Sequence, residues 1–396
     1  MPKLVTTEFK NEFKKIGATV YAKRTPEFTV RDGAIASVQD VVEGEIAITI
    51  DKQKGVDVEF TSVEETLTVD ALLKSKVMKS AAIKLANQVD SDLHALTKKF
   101  YNWVGTPGEL INSYSDLTKA PQRLDEMAVP TDARVGILHP GDAWAMLGSM
   151  SGLSAQEKVA TDALTRAKLP MLGNIDFYST QNAGSVTTGT RSGNCTVNGA
   201  DQNVTYASVK DGAWTQTIIL AAIGNSTTVK AGEVFTIADV YACNPISKAR
   251  LGYLQQFTII DDLTASGGGA GTPVISPPII TSGAFQNVVC GGTSTTAPDT
   301  GAAVQWMGSD TEANTDATTY NFGTVFRKEA IALVSAKLIM PFTGEADYST
   351  DPETGLTVRY WRSSDSTNDT HMHRFDILYG VKMVDPRKGT RLSGTA

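Results

Sequence analysis

The chain has 396 residues, 41% hydrophobic and 20% charged, a size and balance that exclude a disordered, collagen-like or coiled-coil body and require more than one compact core. Its net charge of −7, from 36 basic and 43 acidic residues, gives no sequence-wide attraction to phosphate and argues against a dedicated nucleic-acid binder. The three cysteines, Cys195, Cys243 and Cys290, are far apart with no Cys-x-x-Cys between them, which argues against a disulfide framework and a thiolate zinc site.

The start, Met1 to Glu8, lacks the apolar core of a secretory signal, and no apolar run approaches a membrane span, so a soluble protein made in the cytoplasm is expected. Residues 1–24 carry a net +4 and read as a basic arm. From Thr25 to Asp70 the sign reverses to a net −8. There Ile46, Ile48 and Ile50 alternate, and Val56, Val58 and Phe60 repeat the pattern after Asp51 to Gly55, which predicts a long hairpin. So little apolar surface cannot hold two strands alone, so the hairpin is expected to lie on something else.

A long helix is predicted next, capped by Asp70 and stopped before Gly105, with Leu73, Val77, Ala81, Leu85, Val89, Leu93, Leu96 and Phe100 at helical spacing. The stretch from Ala71 to Val104 carries a net +4. Further helices are expected from Ser115 to Met127, after Pro140, and from Ala155 to Lys168, with a strand at Arg134 to His139. Between Thr190 and Gln305 only 12 of 116 residues are charged, while 14 of the 34 glycines and all three cysteines fall there. Short strands punctuated by Gly, Asn and Pro predict an inserted all-β domain, a small barrel or sandwich. Two strands, Leu356 to Trp361 and His373 to Tyr379, close the pattern.

Catalytic patterns are missing. Gly267 to Gly271 precedes Thr272-Pro273, where a phosphate-binding loop needs Lys and Ser or Thr. Gly148-Ser149-Met150-Ser151-Gly152 puts Met where a nucleophile elbow needs Ser. Among His94, His139, His371 and His373, only His371 and His373 share a strand face, and no spacing fixes a further metal ligand beyond Asp369 or Asp376. Structural roles are expected for all four, with the strand pair exposed to solvent. Asp261 and Asp262 point apart on a strand and form no acid/base pair.

Three stretches carry a family resemblance: Lys79 to Val89 with its Ala-Ala-Ile-Lys-Leu-Ala-Asn run; Val229 to Val240 followed by Leu254 to Ile259; and Thr354 to Arg359 followed by Phe375 to Gly380. In this collinear order the chain resembles the major capsid (coat) proteins of tailed bacteriophages, in particular the P22 coat protein type. The resemblance implies an α+β fold of the HK97 kind with an inserted all-β barrel. It implies residues 1–24 as N-arm, 25–69 as E-loop hairpin, and 70–114 as spine helix and peripheral domain. Residues 115–189 would begin the axial domain, 190–303 form the inserted β-barrel, and 304–396 complete the axial domain and return to the periphery.

The implied function is a structural, non-enzymatic subunit that self-assembles through pentamers and hexamers into the icosahedral virion shell around double-stranded DNA. Assembly in the host cytoplasm with a separate scaffolding protein and a portal protein is implied, with no cofactor, no metal and no membrane. The E-loop of this fold lies over a neighbouring peripheral domain. The reversal of charge therefore suggests that Glu43, Glu45, Glu59, Glu64 and Glu65 meet Lys74, Lys76, Lys79 and Lys84 of another copy. The alternatives are a cellular nanocompartment shell of the same fold and a hydrolase with a β-barrel accessory domain.

Overall fold

The computed structural model describes residues 1–7, 19–31, 33–36, 38–64, 76–150, 175–191, 194–212, 214–308 and 317–395. The chain divides into two compact units, the first from residues 1–22, 47–95 and 331–382, the second from 23–46, 96–330 and 383–396.

Among the described residues, the first unit holds a long helix and a five-stranded sheet, largely antiparallel. Helix α1 (Lys76–Leu96) buries Ala81, Leu85, Val89 and Leu93, an i, i+4 stripe that turns one side inward. Lys79, Ser80, Ala82, Ile83, Lys84, Ala86 and Asn87 stand exposed on the other side. The helix was expected to start at Asp70, which lies outside the described residues, and to run to Val104. It ends at Leu96, in a 3-10 turn (Thr97–Lys99) and a strand (Asn102–Val104). Phe100, Tyr101, Asn102 and Trp103 are all buried, a run that a helical stripe cannot supply and a strand inside a sheet can.

The central strand of the sheet, Thr370–Met383, lies between Thr357–Asp365 on one side and Lys52–Thr61 on the other; Glu345–Thr350 forms one edge, and Ile331–Ala336 also pairs with the central strand. This replaces the expected hairpin. Glu45–Thr49 pairs with Thr19–Lys23, and Lys52–Thr61 makes a ten-residue antiparallel ladder with Thr370 to Tyr379. A full ladder on a central strand outweighs a marginal two-stranded hairpin. Gly55, expected in a turn, is a strand residue opposite Asp376, where a Cβ would sit 2.5 Å from Asp376 Oδ1. The glycine makes room for that buried carboxylate.

Among the described residues the second unit contains two main sheets, besides three two-stranded ones. One has the order Asn102–Val104, Gly389–Leu392, Gly323–Arg327, Arg134–Leu138, Asp176–Ser179, with parallel outer pairs and antiparallel inner ones. Helices α2 (Tyr114–Glu126) and α3 (Pro140–Met150) match the expected positions, and the Ser113 Oγ caps α2 by accepting from Asp116 N–H at 3.1 Å. The expected helix from Ala155 to Lys168 lies outside the described residues.

The other sheet has the order Val288–Cys290, Val234–Cys243, Arg250–Ile259, Val274–Ser276, Gln216–Thr217, with Val304–Trp306 also on Val234–Cys243. Phe235, Ile237, Phe257, Ile259 and Ile275 pack into one apolar cluster with Cys195, Cys290 and Trp306. Phe235 stands opposite Trp306, so the β-rich segment extends past residue 303, where the composition break had placed its end.

Candidate assembly surface

The described residues between Arg24 and Gly44 (24–31, 33–36 and 38–44) leave the two-stranded sheet without regular structure and are pinned at their base. Arg24 N–H donates to Gly44 C=O at 2.8 Å, and Lys23 pairs with Glu43 at 2.8 Å, the bond that raises the ammonium above its ordinary pKa. The Arg24 guanidinium donates to the carbonyls of Lys210 and Gly212 and lies over the Trp214 ring at 4.7 Å. Glu27 accepts from Arg387 at 2.9 Å, and Arg387 flanks the same indole at 5.0 Å. Gln39 accepts from Thr29 N–H at 2.9 Å and donates back to its carbonyl at 2.6 Å.

Beyond this base, Phe28, Val30, Ile35, Val38 and Val41 are exposed, Val30 at 96% and Val38 at 93% of full accessibility. Five large apolar side chains held in solvent on a pinned loop make it a candidate interaction surface. The first unit carries a second such element. Ile339, Met340 and Phe342 are exposed in a loop whose backbone is gripped by Arg359 (to Ile339 C=O, 2.7 Å) and the Trp361 indole (to Thr343 C=O, 2.9 Å). The charge pattern alone does not show either set, because the apolar residues are interspersed with Gly, Ser and Pro.

The charged residues expected to meet across copies separate into distinct states. Lys79 and Lys84 are exposed on α1, and Glu59 is exposed on Lys52–Thr61. Glu45 is exposed in its strand, with its backbone N–H on Asp211 Oδ1 at 3.2 Å. Glu43 is engaged by Lys23 within the chain. Glu64 accepts from Thr61 N–H and Oγ1, which holds its carboxyl below the usual range. Glu65 and Lys74 lie outside the described residues, as does the side chain of Lys76.

Several buried titratable groups are held by partners within the chain. Asp376 lies between Arg359 at 2.5 Å and Arg374 at 3.0 Å, and Arg374 also reaches Asp57 at 3.1 Å. Burial works to raise the Asp92 carboxyl, but donors from Lys52 (2.9 Å), Tyr379 (2.8 Å) and Gln88 (3.0 Å) bring it below its ordinary value. His373, expected at the surface, is buried with Nδ1 2.6 Å from the Tyr360 hydroxyl, because its strand is central to the sheet. His94 is buried too, and burial lowers its pKa to about 4 against the pull of Asp90 at 3.6 Å.

Cys195, Cys243 and Cys290 are all buried, and burial pushes the Cys195 thiol up to about 12 and that of Cys290 to about 11. Thiols so protonated are poor nucleophiles. Among the described residues no group of three or more His, Cys, Asp or Glu side chains is placed to hold a metal, and no helix is long and apolar enough to cross a membrane.

A long helix beside a largely antiparallel sheet, together with a mixed sheet interrupted in sequence by a β-rich segment, fits an HK97-like capsid fold of mixed α/β architecture. A solved structure of Mycobacterium phage Che8 is similar in fold, with a TM-score of 0.50 at 12% identity over 98% of this chain and 88% of that one. The capsid structure of the cyanophage P-SCSP1u aligns at a TM-score of 0.41 and 9% identity, over 99% and 86% of the two chains. No curated relative matches the sequence.

The family described as P22 coat protein, gene protein 5, matches residues 11–394, and the chain belongs to it. It is a structural major capsid protein of a tailed phage, a component of the multimeric virion shell. Neither the nanocompartment nor the hydrolase reading is favoured.

Proposed function

We propose that this subunit closes an icosahedral shell of pentamers and hexamers around a separate scaffolding protein and a portal, assembling in the host cytoplasm and then enclosing double-stranded DNA. A net charge of −7 suits a wall that must release DNA rather than grip its phosphates. The β-rich segment acts as an inserted domain, its antiparallel strands wrapped as a small barrel around Phe235, Phe257 and Ile275.

In this reading the 24–44 loop of one copy lies over the first unit of a neighbour. The observation that carries it is the exposure of Phe28, Val30, Ile35, Val38 and Val41 on a loop fixed at its base. Apolar contact supplies the affinity, and charge sets the register. Glu45 and Glu59 with Lys79 and Lys84 form the core of the charge pairing, and Glu65, Lys74 and Lys76 extend it. Glu43 and Glu64 take part only by giving up the intrachain bonds described above.

Val30→Ser with Val38→Ser should leave a soluble subunit whose shell yield in electron micrographs drops at least tenfold. Lys79→Glu with Lys84→Glu should weaken assembly less and change its salt dependence, since each exposed pair contributes about 0–1 kcal/mol. Wild-type shell yield from both variants would remove the loop-over-neighbour reading.

A further inference from the structure

Arg391 lies on the final strand of the chain, Gly389–Leu392, which enters the five-stranded sheet between Asn102–Val104 and Gly323–Arg327. Its side chain is fully buried, and no carboxylate among the described residues pairs with it. Its hydrogen bonds go instead to three separate parts of the chain: the Lys98 carbonyl, the Gly232 carbonyl, and the Thr258 hydroxyl at 2.9 Å. The Trp103 and Phe322 rings lie 5.2 Å and 5.3 Å from the guanidinium carbon.

Gly232 and Thr258 belong to the β-rich segment, whereas Lys98, Trp103 and Phe322 belong to the surroundings of the five-stranded sheet. A second polar link lies beside the first. The Gln256 amide accepts from Trp103 N–H at 2.7 Å and donates to Trp103 C=O at 2.8 Å, in the manner of a strand partner.

A guanidinium has five N–H donors and no practical way to shed its charge, so moving one out of water without acceptors is strongly unfavourable. Burial works to lower the pKa of this group, and its hydrogen bonds go to neutral oxygens. Two of its three acceptors exist in place only when the loop at Gly232 and the strand Arg250–Ile259 are folded.

We propose that Arg391 couples the two sheets of this unit, so that the last strand is seated stably only on a finished β-rich segment. A chain whose β-rich segment has opened then holds an unsatisfied cation inside the five-stranded sheet, and that sheet opens with it. The arrangement works as an internal check that keeps half-folded subunits from presenting a complete shell fold. It rests on the fold alone and is independent of the loop-over-neighbour contact.

Hydrogen exchange on the full-length, unassembled chain tests this. Phe257→Ala, which opens a cavity in the β-rich cluster, should accelerate exchange in residues 234–243 and also, at least tenfold, in 389–392. With Arg391→Met added, residues 234–243 should exchange as fast as before, while 389–392 stays at the rate of the Arg391→Met single variant. A residue that merely fills space would leave the two effects additive. If Phe257→Ala does not fold, Ile259→Val makes a smaller cavity and is read the same way. The proposal is overturned if 389–392 keeps its protection when the β-rich segment opens, or if it opens equally whether or not Arg391 is replaced.

Discussion

The two units bury themselves to different depths. In the second, Trp214, Phe235, Phe257, Phe322 and Phe326 are withdrawn from water almost completely, and each of its two main sheets has an apolar cluster packed against it. In the first, the strands Glu345–Thr350 and Thr357–Asp365 contain no fully buried residue, and the burial of the sheet is concentrated on Ile331–Ala336 and the centre of Thr370–Met383. A half-covered sheet is a costly object for an isolated chain and an ordinary one for a subunit completed by its neighbours. The second unit thus has the deeper core, with its exposed apolar residues on the 24–44 loop, and the half-covered sheet of the first is the part we propose is completed by other copies.

The largest expected effect sharpens that contrast. Phe257→Ala should destabilise the second unit by about 3–5 kcal/mol, through lost transfer energy plus a cavity. Val358→Ala, on a half-buried position of the first unit, should cost the unassembled chain under about 1 kcal/mol. Denaturant unfolding of each variant, followed through tryptophan fluorescence, compares them. Equal losses would erase the distinction.

Acidification should act next, on the first unit through His94. Its folded-state pKa is lowered, so the unfolded chain takes up the proton first as pH falls. Stability is therefore full above about pH 6.5 and declines towards about pH 4, by about 3 kcal/mol over the window. The groups facing the imidazole, Asp90 and the amino group of Met1, oppose each other: the carboxylate favours the imidazolium and the ammonium disfavours it. His94→Gln should flatten the decline in a pH series of unfolding midpoints. A profile unchanged by that substitution would locate the acid sensitivity elsewhere.

The smallest effect concerns the charges on α1. Lys79→Glu with Lys84→Glu should shift the stability of the unassembled chain by no more than about 0.5 kcal/mol, because both lysines are exposed. Their effect is expected only in assembly. A large loss of stability in the free chain would mean that these lysines serve the subunit's own fold.

Much of the architecture is legible in the sequence because single periodicities govern it. The stripe Ala81, Leu85, Val89, Leu93 and the low charge density from 190 onward each report one burial pattern. The family resemblance adds the order of the parts. The pairing of strands is not legible in the same way. Alternation at 46–50 and 56–60 fits a local hairpin as well as it fits two strands with distant partners, and only the partners at 19–23 and 370–379 decide between them.

The end of α1 was misplaced because Leu96 and Phe100 continue the helical spacing, while the full burial of residues 100–103 depends on a strand that arrives from the far end of the sequence. Of the proposed charge contacts, Lys79, Lys84, Glu45 and Glu59 stand exposed, whereas Glu43 and Glu64 found partners nearby in sequence or space, Lys23 and Thr61. Spacing along a chain carries no information about which charges local geometry satisfies first. Arg391 was invisible for a related reason: a lone arginine near a terminus reads as a solvated charge until the strand carrying it is seen inside a sheet.

The most direct test of the account compares amide exchange in the free subunit and in assembled shells. Residues 345–365 should exchange rapidly in the free subunit and slow at least tenfold on assembly, while 234–259 should be well protected in both states. Strong protection of 345–365 in the free subunit, or no change there on assembly, would contradict the claim that the first unit is completed by other copies of the chain.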